Sequence, residues 1–147
     1  MAVESTSAPE HAERDAAPLP KGLSAQEVCD EYFKSCNEKD SERWLSCLHL
    51  DKRALATSKR PGPFDVCQWD LGRARVEKYM ACYVFKRQVG EQKLKDSEPV
   101  IVLEYQPVYG PVPGYIEGTD LGAPIHITVQ KEGGASKGEW RVMSGAF

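Results

Sequence analysis

Between residues 24 and 48 the chain sets apolar groups among polar ones at helical spacing. Val28, Cys29, Tyr32, Phe33 and Cys36 recur at i, i+1, i+4, i+5 and i+8, opposite Asp30, Glu31 and Lys34. A helix over about residues 24–37 would turn that stripe toward a core. Ser24 and Glu27 stand at capping-box spacing, so the hydroxyl can accept from the Glu27 backbone while the carboxylate returns to that of Ser24. "NEKD" interrupts the pattern, and Asp40 or Ser41 can cap a second helix over about 41–50 carrying Trp44, Leu45, Cys47 and Leu48. "SKRPGPF" then predicts a turn, because Pro61 and Pro63 do not fit a helix interior and Gly62 relaxes the backbone between them.

From about Val76 the pattern changes to β-branched and aromatic runs. "YMACYVFKRQ", "PVIVLEYQPVY", "PIHITVQK" and "EWRVMSG" predict four strands, and "FDVCQWDL" can add a short one. The polar "VGEQKLKDSE" suits an open hairpin and "KEGGASKGE" a glycine-rich turn, so neighbouring strands should run antiparallel. In "PIHITVQ", Ile125, Ile127 and Val129 share one face and His126, Thr128 and Gln130 the other, which gives this strand one buried side. "VIVLEY" and "MACYVF" are apolar on both faces and read as central strands. Their second face would be covered by a partner, a ligand or the connection at 110–122. Helices first and strands afterwards predict an α+β fold with amino-terminal helices on one face of an antiparallel sheet of four to six strands.

Length and composition add boundaries. With 147 residues, 41% hydrophobic and 28% charged, the chain suits one domain over residues 23–147. Residues 1–22, rich in Ala, Pro, Glu and Ser, lack the large apolar groups needed to offset ordering entropy and read as a disordered leader or tether. Such a segment also looks like the spacer behind an export signal, so extracytoplasmic and cytoplasmic settings both stay open. A net charge of −3 with interspersed signs argues against nucleic acid as a partner. No run approaches the roughly 18 apolar residues of a membrane span.

Five cysteines are an odd number, so at least one stays free or pairs with another molecule. Cys29 and Cys36 are seven residues apart, about 10 Å along a helix, too far for a bond to each other. Cys36 with Cys47 across the turn is geometrically possible. No short C-x₂-C pair preorganises a metal site, and the sequence implies no cofactor and no metal. Core packing is the expected use, with one structural disulfide and metal or redox chemistry as alternatives.

His126 is the first candidate for acid–base work, because histidine titrates near neutrality. Glu104 is its candidate partner: the lone carboxylate of an apolar strand, whose pKa burial would raise. The alternative is that both lie on a solvated face or a subunit contact. His49 falls at a helix end and His11 in the leader. "VYGPVPGYIEGTDLGAP", residues 108–124, has too many glycines and prolines for regular structure, yet Val112, Tyr115 and Ile116 are apolar for an idle loop. A flap over the mouth of the sheet would make Tyr115, Glu117 and Asp120 rim contacts for a ligand or peptide. A wide hairpin loop packed onto the sheet is the other reading. Lys52, Arg53, Lys59, Arg60, Arg73, Arg75 and Lys78 could form a basic rim for an acidic partner or membrane surface, although charge runs are commonly just a solvated face.

The helix pair Tyr32 and Phe33, the turn "NEKD", the segment Trp69–Leu71 and the terminal "KGEWRVMSG" with Trp140, Val142 and Gly145 resemble the nuclear transport factor 2-like superfamily. Within it the layout is most similar to uncharacterised domains of exported Gram-positive lipoproteins. The resemblance implies a cone-shaped fold with helices on a curved sheet. It also implies a non-catalytic module binding an unknown protein or small apolar ligand, the soluble part of an exported lipoprotein. The superfamily equally contains cavity enzymes of cyclase, isomerase or dehydratase type, in which His126 and Glu104 would act, and dimerisation domains, which would make a homodimer.

Overall fold

The computed structural model describes residues 19–50, 52–53, 63–93, 98–132 and 138–144, with backbone alone at 63–68. Its elements run α1 (Ala25–Asn37), α2 (Ser41–Cys47), α3 (Pro63–Tyr79), β1 (Cys82–Gln92), β2 (Val100–Val108), β3 (Ile125–Lys131) and β4 (Trp140–Ser144). The strands form one antiparallel sheet in the order β1-β2-β3-β4, with the helices packed against it. The α+β class and the four strands are those the sequence predicts. Most of the leader, the tips of both hairpins, Pro61 and Gly62 of the expected turn, and Gly145 of the terminal motif lie outside the described residues. Leu19 is already buried in the core, upstream of residue 23 where the sequence places the start of the domain.

Helix α1 begins as the capping box requires: Ser24 Oγ accepts from Glu27 N at 3.1 Å and Glu27 Oε1 accepts from Ser24 N at 2.8 Å. Its stripe of Val28, Cys29, Tyr32, Phe33 and Cys36 is buried, against a sheet face formed by Leu103, Tyr105, Ile127, Val129 and Val142. Fully burying a side chain such as Val or Phe contributes about 1.5–3 kcal/mol, so this contact is the main stabilising layer. The rings interlock. Phe33 stacks on Tyr83 at 4.3 Å and tilts against Tyr105 at 4.8 Å, while Tyr32 stacks on Trp44 at 5.4 Å. Burying the Tyr105 phenol requires a hydrogen-bond acceptor, and the hydroxyl donates to Asp30 Oδ1 of α1 at 2.7 Å.

The "NEKD" turn is a Schellman closure. Asp40 N donates to Ser35 O at 2.8 Å and Lys39 N to Cys36 O at 3.2 Å, with Lys39 in the left-handed region at φ 61°. Asp40 also caps α2 by accepting from Arg43 N at 3.1 Å, which settles the choice between Asp40 and Ser41. Arg73 of α3 donates to the carbonyls of Cys36 and Asn37 at 2.5 and 3.3 Å, tying a third helix to the end of the first.

Two expectations are corrected. "FDVCQWDL" is not a strand but the first half of α3, which opens on Pro63, a residue suited to the first helical position because it needs no N–H partner there. The stripe that α3 turns inward from Trp69 to Tyr79 includes Gly72 and Arg73, while Leu71 is 49% exposed, so apolar periodicity conceals it. "MACYVF" is not central either. It forms edge strand β1, where Tyr83 and Phe85 point inward and Val84 stays 44% exposed. Register shifts between Phe85 and Arg87 and between Gln88 and Gly90 interrupt that edge, the kind of irregularity that discourages pairing with another strand.

The αL position of Lys39 favours glycine, since a side chain there costs about 1 kcal/mol. Lys39→Gly should therefore raise the urea midpoint by an amount worth about 1 kcal/mol, and Asp40→Ala should lower it by at least as much, with unchanged slope. A lowered midpoint for Lys39→Gly would contradict the turn geometry.

Candidate functional site

The β2–β3 register sets Glu104 directly opposite His126, and the β1–β2 register sets Arg87 beside Glu104. Glu104 Oε1 lies 3.2 Å from His126 Nε2 and 3.5 Å from Arg87 Nη2. The pair proposed from sequence therefore meets. It meets on the sheet face turned away from the core: the side chains of His126 and Arg87 are 56% and 70% exposed, and that of Glu104 is 14% exposed. The expected rise in the Glu104 pKa is corrected, because the hydrogen bond from His126 outweighs desolvation and, with a smaller contribution from the Arg87 charge, holds it below the usual carboxylate value.

The loop between β2 and β3 is ordered by its own backbone. Val108 bridges Asp120, Tyr109 N donates to Thr119 O at 2.9 Å, Gly118 N to Tyr109 O at 2.8 Å and Leu121 N to Pro107 O at 2.8 Å. Within this extended hairpin sit two tight turns, Val112–Tyr115 and Ile116–Thr119, each with a glycine of positive φ at its third position: Gly114 at 91° and Gly118 at 86°. That position demands φ above zero, which is why glycine recurs there. The root is clamped to the end of α3, since Gly110 N donates to Tyr79 O at 3.1 Å and a Cβ on Gly110 would collide with the Met80 carbonyl. Met80 itself is held at φ 52°.

Three tyrosines meet at this clamp. Tyr109 and Tyr115 stack at 4.4 Å with 11° between their planes, and Tyr79 meets both edge-on at 5.5 and 5.7 Å. Lys78 Nζ lies 5.2 Å from the Tyr79 ring centroid. Around the cluster Met80, Tyr115 and Ile116 remain 47%, 49% and 76% exposed, and Glu117 and Asp120 are exposed as well. Of this group the sequence singled out Tyr115 and Ile116 as apolar loop residues, and Tyr115, Glu117 and Asp120 as rim contacts. It missed Tyr79 and Met80, because "YMACYVFKRQ" reads as one strand when α3 is not recognised, and it did not set Tyr109 apart from the rest of the 108–124 loop.

A cavity of about 370 Å³ lies elsewhere, between α1 and the start of β1, lined by Asp30, Phe33, Lys34, Asn37, Glu38, Cys82 and Tyr83. Neither the tyrosine loop nor His126 and Glu104 contribute to it. Three of the described thiols are core filler: Cys29, Cys36 and Cys47 are buried and unpaired, and burial pushes Cys36 and Cys47 up to about 12, whereas Cys82 is exposed at the start of β1. That shift leaves Cys36 and Cys47 protonated near neutral pH. Among the described residues no group of three or more His, Cys, Asp or Glu could hold a metal ion, and no helix is long and apolar enough to cross a membrane. Two arginines of the expected basic rim are engaged within the chain. Arg53 donates to Leu48 O and pairs with buried Glu132 at 3.2 Å, and Arg73 serves the end of α1. Lys59 and Arg60 lie outside the described residues.

No family model matches the chain, and no curated protein matches it. Among solved structures, an uncharacterised cystatin-fold protein from Novosphingobium aromaticivorans is similar at a TM-score of 0.38 and 15% identity, over 83% of this chain and 97% of its own. A provisionally assigned polyketide cyclase from Pseudomonas putida is similar at 0.35 and 13%, over 86% and 93%.

A carboxylate whose folded pKa is depressed stabilises the fold above its unfolded pKa, near 4.3, and loses that contribution as pH falls through the folded value. Glu104→Gln should therefore be less stable than the parent at pH 7, with the deficit closing as pH falls through the depressed folded pKa of Glu104. Urea midpoints across that range are the check. A deficit independent of pH would mean that the charge is not what His126 and Arg87 hold.

Proposed function

We propose that this chain is a non-catalytic protein-binding module whose contact surface is the tyrosine cluster at the end of α3 and the 108–124 loop. The observation that carries the reading is the combination of order and exposure. A loop held by its own hydrogen bonds and by stacked rings leaves Met80, Tyr115 and Ile116 facing solvent. Clustered apolar groups on a rigid surface mark interaction sites. Tyrosine suits such contacts because it offers a large area with few rotatable bonds and retains a hydroxyl for hydrogen bonding. Since the loop is already ordered, little entropy is left to lose on association.

A small apolar ligand is less well served. The cavity near α1 has a suitable size but is ringed by Asp30, Lys34 and Glu38, whereas ligand pockets are predominantly apolar with few polar groups. The 3.2 Å contact between Glu104 and His126 favours a second reading, proton transfer in a cavity enzyme of cyclase, isomerase or dehydratase type. Such chemistry needs a site that excludes water, and the exposure of His126 speaks against one at this pair. The sequence resemblance to the nuclear transport factor 2-like superfamily accommodates both readings.

Site-specific photocross-linking provides the test. A benzophenone side chain at position 116, introduced in cells that express the chain, should form a discrete protein adduct that excess unlabelled parent suppresses and excess Tyr115→Ala does not. The same probe at Lys86 on the β1 edge should form none. Absence of an adduct from position 116, or equal adducts from both positions, would remove this reading.

A further inference from the structure

We propose that the tyrosine loop docks a net-basic, arginine-bearing segment of its partner, an inference that rests on the protein-binding reading above. The loop from Tyr109 to Gly122 contains Glu117 and Asp120 and no Lys, Arg or His. Both carboxylates are exposed, and Glu117 occupies the second position of the Ile116–Thr119 turn. Hydrogen bonds to these two carboxylates do not form part of the turn itself: Thr119 N and Oγ1 both donate to Ile116 O, at 3.2 and 2.7 Å. The acids are therefore not needed to build the loop.

The rings supply the second half of the recognition. Tyr115 is stacked on Tyr109 yet remains 49% exposed, so one side of its π-system is open. Lys78, 5.2 Å from the Tyr79 centroid, shows that a cation already rests against this cluster at a cation–π distance. An incoming guanidinium can lie flat on the open Tyr115 ring and present its planar fork to a carboxylate, which a compact ammonium does less well. An acidic segment would meet like charge, and an uncharged apolar one would desolvate Glu117 and Asp120 without pairing them. An anionic lipid surface would be repelled for the same reason.

The test uses the full chain and a fluorescently labelled Gly-Ser peptide carrying several arginines. Its comparison peptides replace arginine with citrulline, which keeps the shape and removes the charge, or with lysine. The arginine peptide should bind saturably, more tightly than the lysine peptide, and weaken as salt rises. Tyr115→Ala, and separately Glu117→Gln with Asp120→Asn, should each raise Kd about fivefold, roughly one cation–π contact or one charged pair, and the carboxylate double variant, whose side chains do not build the loop, should keep the parent's thermal midpoint. Equal binding of the citrulline peptide, equal Kd for the parent and Tyr115→Ala, or no saturation up to millimolar concentration would overturn the proposal. The two levels remain separable. A position-116 cross-link mapped to an acidic or uncharged partner segment would refute the basic-segment inference while leaving the module reading intact. No discrete cross-link would remove both.

Discussion

The fold depends on one contact: the apolar stripe of α1 pressed onto the inner face of β2, β3 and β4. Val28, Tyr32 and Cys36 are fully buried there together with Tyr105, Ile127, Val129 and Val142. Neither surface could remain in water without losing the burial that offsets chain entropy, so each defines the other. Sulfur belongs to this layer as volume. A protonated thiol is small and weakly polar, and three of them beside Tyr32 fill space that a larger branched side chain would overpack.

Fixing that layer fixes what is left outside it. Because strand residues alternate, inward Tyr105 and Leu103 force Glu104 outward, and the antiparallel register then delivers His126 to it. The same layer sets the end of α1, whose last carbonyls receive Arg73 and thereby orient α3. α3 ends at Tyr79, where it meets the root of the β2–β3 loop through Gly110. The exposed rings thus sit on a surface positioned by the core at two removes. Rigidity reaches them through backbone hydrogen bonds, with few buried apolar contacts of their own.

How far the sequence reveals this depends on which physical signal each part carries. α1 is legible because its cap and stripe agree, and the four strands because β-branched and aromatic runs are bounded by turns. Pairing Glu104 with His126 was legible as chemistry, but not the openness of the face they occupy, since alternation gives relative sides and leaves open what covers the second one. α3 was not legible: Gly72 and Arg73 stand on its inward stripe, and Arg73 is there to satisfy carbonyls that only the tertiary fold brings near. Missing α3 hid Tyr79 and Met80. The edge position of β1 was equally hidden, because Val84 is apolar yet exposed. Nothing in local composition reports a neighbour's absence.

The central claim is that the tyrosine loop is rigid before any partner arrives. Amide hydrogen exchange in the isolated chain measures this directly, because Tyr109, Gly110, Gly118 and Leu121 each donate to a backbone carbonyl of the loop, of β2 or of α3. The account predicts protection at these four amides approaching that of β2 and β3. Exchange at the rate of an open chain, with the strands still protected, would contradict it.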